Sequence, residues 1–391
     1  MRQFPDRFER WGFGVSAPLE GIVVVAVEQA IAAPLATRHL ADLGARVLKI
    51  EHPDGGDFAR HYDANTAGQS TYFVWANRGK DSLVLDLKSE AGRQQLDALI
   101  SGADVFVQNL SVGAAERAGL LAHQLVERFP SLIACDISGY GLDGALTDDK
   151  AYDLAIQSEA GAVMLTGSPE QPSKVGISIA DISSAMYALS SILAALYRRD
   201  RTGEGAAISL SMLECLAEWT SPQVLTAVAT GVAPGRSPRR HPMIAPYGMF
   251  ELSDGRTVLV AVQADREWRA MADRVLHRPE LGTDARFAVN AARIANVDEL
   301  EAVIRSVFAA LPADEVRARL HAARITVADV RDPLAVWHHE QFAARDRKVI
   351  VTTETGDAQV LKAPFNISGL TDRGGHVPSL GEHGDDLHGF E

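Results

Sequence analysis

The sequence predicts an α/β protein built around a largely parallel sheet. Two observations carry that prediction. The run from Gly21 to Val27 is continuously apolar, as in a strand buried on both faces. A helix pattern and a second strand, Arg46 to Glu51, follow it within about thirty residues, which is the span of one βαβ unit. The same alternation then repeats along the first half of the chain.

In order, Pro34 sits at a first-turn position and opens a predicted helix that runs through Leu40 and stops at Gly44. The turn before it, EQAIAAPLA, has no glycine. Backbone therefore cannot approach a pyrophosphate there as a dinucleotide fingerprint requires, and Glu51 reads as a strand-end charge. A Pro/Gly-rich loop, HPDGGDFAR, comes next. Strands are predicted over 83–87, 104–107 and 132–137, with Ser89 capping the helix between the first two. Ligands of such sheets sit beyond the C-terminal strand ends, where His52, Asn77 to Lys80, Asn109 and Gly139 to Gly141 fall. A strand over 206–211 and a helix over 213–229 close this part. The Gly-, Pro- and Arg-rich segment 231–241 reads as a linker. Beyond it, Ser253 to Arg256 joins two strand patterns as a hairpin, and helical segments follow. The boundaries are an N-terminal extension over 1–17, a large domain over 18–225, a linker and small α+β domain over 226–335, and a return to the large domain over 336–391.

The 391 residues include 47% hydrophobic and 23% charged, ordinary for a globular chain. A net charge of -13 excludes a sequence-independent grip on nucleic acid phosphates. No apolar run in the sequence approaches bilayer length, and the N-terminus lacks the apolar core of a secretory signal. Two cysteines, Cys135 and Cys215, have neither metal-ligand nor disulfide-framework spacing. A cytoplasmic protein without metal is expected.

The most informative stretch is Gly176 to Asp200. A short apolar run breaks at Asp181, and a long helical pattern of small and apolar residues follows. Asp181 is either an N-cap, accepting first-turn N–H groups, or a nucleophilic carboxylate with those N–H groups nearby to hold an oxyanion. Ser183 and Ser184 could supply the cap instead.

Several segments together resemble the family III CoA-transferases. They are the N-terminal stretch from PLEGIVVVAVEQAIAAPLA to EHPDGGDFAR, then NRGKDSLVLDL, ADVFVQNLSVGAAERAGL, ISGYGLDG and PSLGEH. The resemblance covers nearly the whole chain from Pro18. It implies a Rossmann-like large domain, a smaller α+β domain and an intertwined homodimer. It places Asp181 as the nucleophile that forms an anhydride and then an aspartyl-CoA thioester, with coenzyme A arriving as a substrate thioester and no cofactor. It implies CoA contacts at Ala30, His52, Lys80, Asn109, Arg117 and Lys150, and a substrate contact at Tyr152. Leu110 replaces an aromatic residue common in the family. The segment RRHPMIAPYGMF lacks a glycine-rich run and resembles members acting on small dicarboxylic acids. Arg240 and His241 are candidates there to pair with a distal carboxylate. An α-methylacyl-CoA racemase shares the fold but places His where this chain has Tyr152. A phenol of ordinary pKa is poorly suited to shuttle an α-proton at neutral pH.

Overall fold

The structure is a computed structural model that describes residues 17–368, 370 and 374–384. The expected N-terminal extension lies, apart from Ala17, outside the described residues.

The larger of two compact units runs to Val163, resumes over Lys174–Ala233 and takes up the chain again from Ala344. Its centre is a six-stranded sheet of β1 (Val23–Val27), β2 (Arg46–Glu51), β3 (Asp81–Val84), β4 (Val105–Gln108), β5 (Ile133–Ser138) and β6 (Ala206–Ser211), in the order β3-β2-β1-β4-β5-β6. Every pairing is parallel. The order reverses between β1 and β4, so the crevice for a ligand opens at their C-terminal ends. The strands are apolar on both faces because helices cover both. Val24 and Ala26 point into one core with helices α1 (Ala32–Asp42) and α8 (Ile179–Thr202). Val25 and Val27 point into the other with Leu96 and Leu99 of α3 (Glu90–Gly102) and Leu125 of α5 (Ala122–Arg128). The short helices α2 (Thr71–Asn77), α4 (Val112–Ala118), α6 (Asp153–Glu159) and α7 (Ala162–Leu165), and the longer α9 (Met212–Thr230), complete the set up to Thr230.

Helix α8 is long and apolar enough, by length and composition, to cross a membrane, which the sequence reading did not anticipate. Its small residues explain it otherwise. Ala180, Ala185, Ala188 and Ile192 are buried and let α8 lie close against α1 in the core. Ser183 and Ser184 are not caps; both hydroxyls donate to the Ala180 carbonyl inside the helix.

The turn from β1 into α1, where a dinucleotide-binding protein would have glycines, is held by four buried charges. Lys80 Nζ donates to Glu28 Oε1 at 2.6 Å, to the Pro34 carbonyl at 2.8 Å and to Asn77 Oδ1 at 2.9 Å. Lys49 Nζ donates to Asp57 Oδ2 at 2.8 Å and to the Glu28 carbonyl at 3.2 Å. All four charged side chains are fully enclosed. Burial alone would raise Glu28, but the two ammonium groups hold it below the ordinary carboxylate value. Burial pulls Lys80 down to about 7 against the attraction of Glu28. With three acceptors around its nitrogen, the ammonium form is the one the geometry suits. Glu51 is likewise no loose strand-end charge: it accepts from Arg60, Ser82 Oγ and the Asp57 N–H.

The smaller unit comprises Met164–Ser173 and Pro234–Ala343. It begins later than position 226 because α9 continues to Thr230 and ends on the left-handed Gly231. It recruits the earlier segment through Arg236, whose guanidinium donates to the Ser168 and Pro169 carbonyls. Strands β7 (Tyr247–Glu251), β8 (Thr257–Ala261) and β9 (Thr326–Asp329) are antiparallel and pack Phe250, Val258 and Val260 against Trp268 and Phe308. The first two form the hairpin expected around Asp254-Gly255. In the larger unit the tail returns as a hairpin of β10 (Lys348–Thr353) and β11 (Gly356–Leu361), with Val351 and Ala358 against Ala59, Phe73 and Val74.

Removing one partner of an enclosed ion pair strands the other. Lys80→Met should destabilise the larger unit by about 3–5 kcal/mol, and adding Glu28→Gln should recover most of that loss. Urea unfolding midpoints of the two variants check both statements.

Candidate active site

Asp181 is the third residue of α8, and its position is set by a neighbouring carboxylate. Ser178 takes the N-cap place without a side-chain bond. The capping acceptor comes from α6: Asp153 Oδ1 accepts from the Ala180 N–H at 2.8 Å and the Asp181 N–H at 3.4 Å. Gln157, one turn on, donates to Asp153 Oδ2 at 2.7 Å and accepts from the Val175 N–H at 2.8 Å, which ties the strap before α8 to α6. Gly139 lets the chain just past β5 pass close to Ala151, which leads into α6, since a Cβ there would sit 2.1 Å from the Ala151 Cβ. The sequence reading offered the first-turn N–H groups of α8 to an oxyanion. Those of Ala180 and Asp181 are instead committed to Asp153, and that of Ile182 to the Ser178 carbonyl.

The arrangement leaves the Asp181 carboxyl in a half-buried site beside a second acid. Burial first, then the Asp153 carboxylate, pushes Asp181 up to about 7. A carboxylate stripped of water in this way is a stronger nucleophile than one in bulk solvent, provided it is ionised. Asp181 also acts electrostatically on Tyr62, whose phenol is held up to about 12 by burial, then by Asp57, Asp181 and Tyr152. Tyr62 belongs to a string of half-exposed rings: Phe58 lies 5.9 Å from it, Tyr72 6.0 Å from it, and Trp75 6.3 Å beyond Tyr72. Tyr152 precedes Asp153 as the N-cap of α6 and is 69% exposed, so it is no core aromatic.

The remaining sequence candidates divide. His52, Arg117 and Lys150 are exposed. His52 lies just past β2 with Nδ1 accepting from the Asp54 N–H, and Arg117 lies in the last turn of α4. Lys80 is not available to a phosphate, because its three donors are spent inside the protein. Asn109 turns its amide onto protein rather than ligand: Oδ1 accepts from the Gln29 N–H at 2.9 Å and Nδ2 donates to the Gln29 carbonyl at 2.9 Å. Ala30 is left-handed, at φ 62°, and its N–H donates to Asp57 Oδ1 at 3.0 Å. Arg240 is committed within the smaller unit to Asp298 at 2.7 Å and Glu301 at 3.6 Å. His241 stacks on Tyr247 and accepts from the Met243 N–H. Sequence reasoning missed Asp153 as the cap and Tyr62 as a neighbour of Asp181. The i, i+4 spacing of Asp153 and Gln157 was a visible signal for the first; nothing in the sequence signals the second. Among the described residues, no three His, Cys, Asp or Glu side chains group as a metal site.

The profile of CoA-transferase family III matches residues 19–384. The chain belongs to that family. It is 35% identical over 372 residues to an acetyl-CoA:oxalate CoA-transferase of Acetobacter aceti, covering 94% of each chain. A succinate–glutarate CoA-transferase of Agrobacterium fabrum is 34% identical over 295 residues, 73% of each chain. Among solved structures, a CaiB/BaiF family protein from Brucella suis superposes with a TM-score of 0.83 at 32% identity, over 96% of this chain and all of that one. Family III CoA-transferase is therefore the frame in which the acidic pair at the head of α8 has to be understood.

The pair has a pH signature. With Asp181 pushed up to about 7, a reaction that uses its carboxylate as nucleophile should show a first-turnover rate with acyl-CoA that rises through that pH. Asp153→Asn keeps an acceptor for the Ala180 N–H but removes the repelling charge, and should move the midpoint to lower pH. Stability runs the other way. A raised carboxyl favours the fold at low pH and disfavours it as pH rises through about 7. Asp181→Asn should therefore raise the melting temperature more at pH 8 than at pH 5, measured by calorimetry.

Proposed function

We propose that this CoA-transferase moves CoA from an acyl-CoA donor to a small dicarboxylic acid through covalent intermediates on Asp181. The observation that carries the reading is the half-buried Asp181 carboxyl, raised to about 7 beside Asp153 at the C-terminal end of the sheet. The Asp181 carboxylate attacks the thioester carbonyl, the C–S bond breaks, and CoA thiolate leaves behind a mixed anhydride. The thiolate then attacks the Asp181 carbonyl and expels the donor acid, giving an aspartyl-CoA thioester. The acceptor carboxylate attacks that thioester, forms a second anhydride and frees the thiolate. Attack of the thiolate on the acceptor carbonyl releases the new acyl-CoA and restores Asp181. No proton or electron is consumed overall, and each step replaces one acyl bond by another.

The dicarboxylate preference is supported by the relatives' names, which specify oxalate, glutarate and mesaconate. The exposed cations Arg117 and Lys150, with the exposed His52 as a hydrogen-bonding partner, suit the phosphates of the CoA arm. Tyr152, exposed at the start of α6 beside Asp153, is the candidate to donate its hydroxyl to an acceptor carboxylate. An intertwined homodimer fits the chain's apolar surface. Trp219, Leu225 and Val228 of α9 and Val232 just after it are exposed, with Val228 at 78%, and such a run calls for a partner.

Asp181→Ala should lower exchange on the order of 10³-fold or more, as expected when a nucleophile is removed. Wild-type protein incubated with acyl-CoA and hydroxylamine should carry a hydroxamate at Asp181 in the peptide mass spectrum. An Asp181→Ala protein that still exchanges at the wild-type rate would overturn the reading. Light scattering should give twice the 42.0 kDa of one chain.

A further inference from the structure

The turn that leads from β1 into α1 is the part of the crevice the sequence makes hardest to form. Ala30 occupies the left-handed region at φ 62°, where a side chain bearing Cβ costs roughly 1–2 kcal/mol that glycine does not. Family III chemistry, on the reading above, takes place at this end of the sheet. Ala30 packs against the same core as Ile179 and Ile182, the residues on either side of Ala180 and Asp181. Asp57, which holds Ala30, and Asp181 both act on Tyr62.

We infer that Asp57 and Asn109 are positioning residues, a two-sided clamp that holds Gln29 and Ala30 in the strained turn bordering the CoA thioester. The clamp has separable parts. From the β4 side, Asn109 takes both the N–H and the carbonyl of Gln29, each at 2.9 Å. From the β2 side, Asp57 Oδ1 takes the Ala30 N–H at 3.0 Å and the Ala59 N–H at 2.9 Å. Its other oxygen is anchored by Lys49 at 2.8 Å, and its own N–H by Glu51 at 3.0 Å. Lys49 also holds the Glu28 carbonyl at 3.2 Å, the peptide just before the clamp. The anchored carboxylate is buried to 1% exposure, so it cannot drift to another acceptor geometry. A glycine-rich loop reaches such a turn through the backbone freedom of glycine. This chain reaches it with Ala30 and side-chain hydrogen bonds.

The inference rests on the CoA-transferase reading only for its rate assay. Asp57→Asn weakens the Lys49 anchor and should lower kcat/KM for acyl-CoA about 10- to 50-fold. If its task is to hold Ala30 left-handed, the same substitution made in the Ala30→Gly background should cost roughly 5-fold less, because glycine reaches that region unaided. A purely structural role for Asp57 predicts equal losses in both backgrounds, and equal losses, or no loss at all, overturn the proposal. If Asp57→Asn does not fold at the assay temperature, Lys49→Met/Asp57→Leu removes both charges and leaves the Lys80–Glu28 pair intact. It must show the same loss and the same partial recovery in the Ala30→Gly background; a wild-type rate overturns the proposal. Should the wild-type chain exchange no CoA, that failure belongs to the transfer chemistry. The clamp is then judged by calorimetric CoA affinity, which must fall in Asp57→Asn and recover with Ala30→Gly; unchanged affinity overturns it.

Discussion

The buried quartet of Glu28, Lys49, Asp57 and Lys80 is the constraint on which the larger unit's ligand end depends. It is neutral as a whole, so its members can be enclosed together where any one alone would be costly. Each cation also reaches a backbone carbonyl of the turn or of the first turn of α1. The quartet therefore does more than pair charges: it sets the path of the chain between the first strand and the first helix. Burial makes the arrangement demanding, because an unmatched donor or acceptor has no water to turn to.

That path matters because the sheet reverses its strand order beside it. Parallel strands deliver their C-terminal ends to one edge, and there Asn109, just past β4, hydrogen-bonds the Gln29 backbone of the turn after β1. Helix α8 brings Asp181 to the same end through its small-residue contact with α1. The electrostatics of the site then come from a second helix. Asp153 satisfies donors at the head of α8 and in doing so sets a negative charge next to the Asp181 carboxyl. One carboxylate both orders the helix and raises the proton affinity of its neighbour. The capping role and the tuning role cannot be separated by geometry, only by a substitution that keeps the hydrogen bonds and removes the charge.

Family relationship and local geometry play different parts here. The match over 19–384 establishes the class of protein, while the proposal for Asp181 rests on what surrounds that carboxyl. Matching a motif position did not guarantee a matching role. Lys80 and Asn109 stand where the resemblance implied contacts with CoA, yet both spend their polar atoms on the protein's own backbone and side chains. Arg240 is similarly engaged by acids of the smaller unit. Residues bordering a ligand site are often there to shape it, and residue type alone does not distinguish holding a loop from holding a ligand.

Local pattern in the sequence was enough for the parallel α/β sheet, the hairpin around Asp254-Gly255, the helix bearing Asp181 and the absence of a dinucleotide fingerprint. Each depends on residues close together in the chain: apolar runs, helix-period spacing, turn residues. Domain boundaries were less legible, as where α9 runs on to Thr230, past the boundary expected at 226. What the tertiary structure alone decided was pairing across distance. Asp153 caps a helix that begins 26 residues later, Asp57 meets Ala30, and Lys80 meets Glu28. A buried charge takes its partner from whichever strand end or loop the fold brings within about 3 Å, and no periodicity in the sequence records that distance.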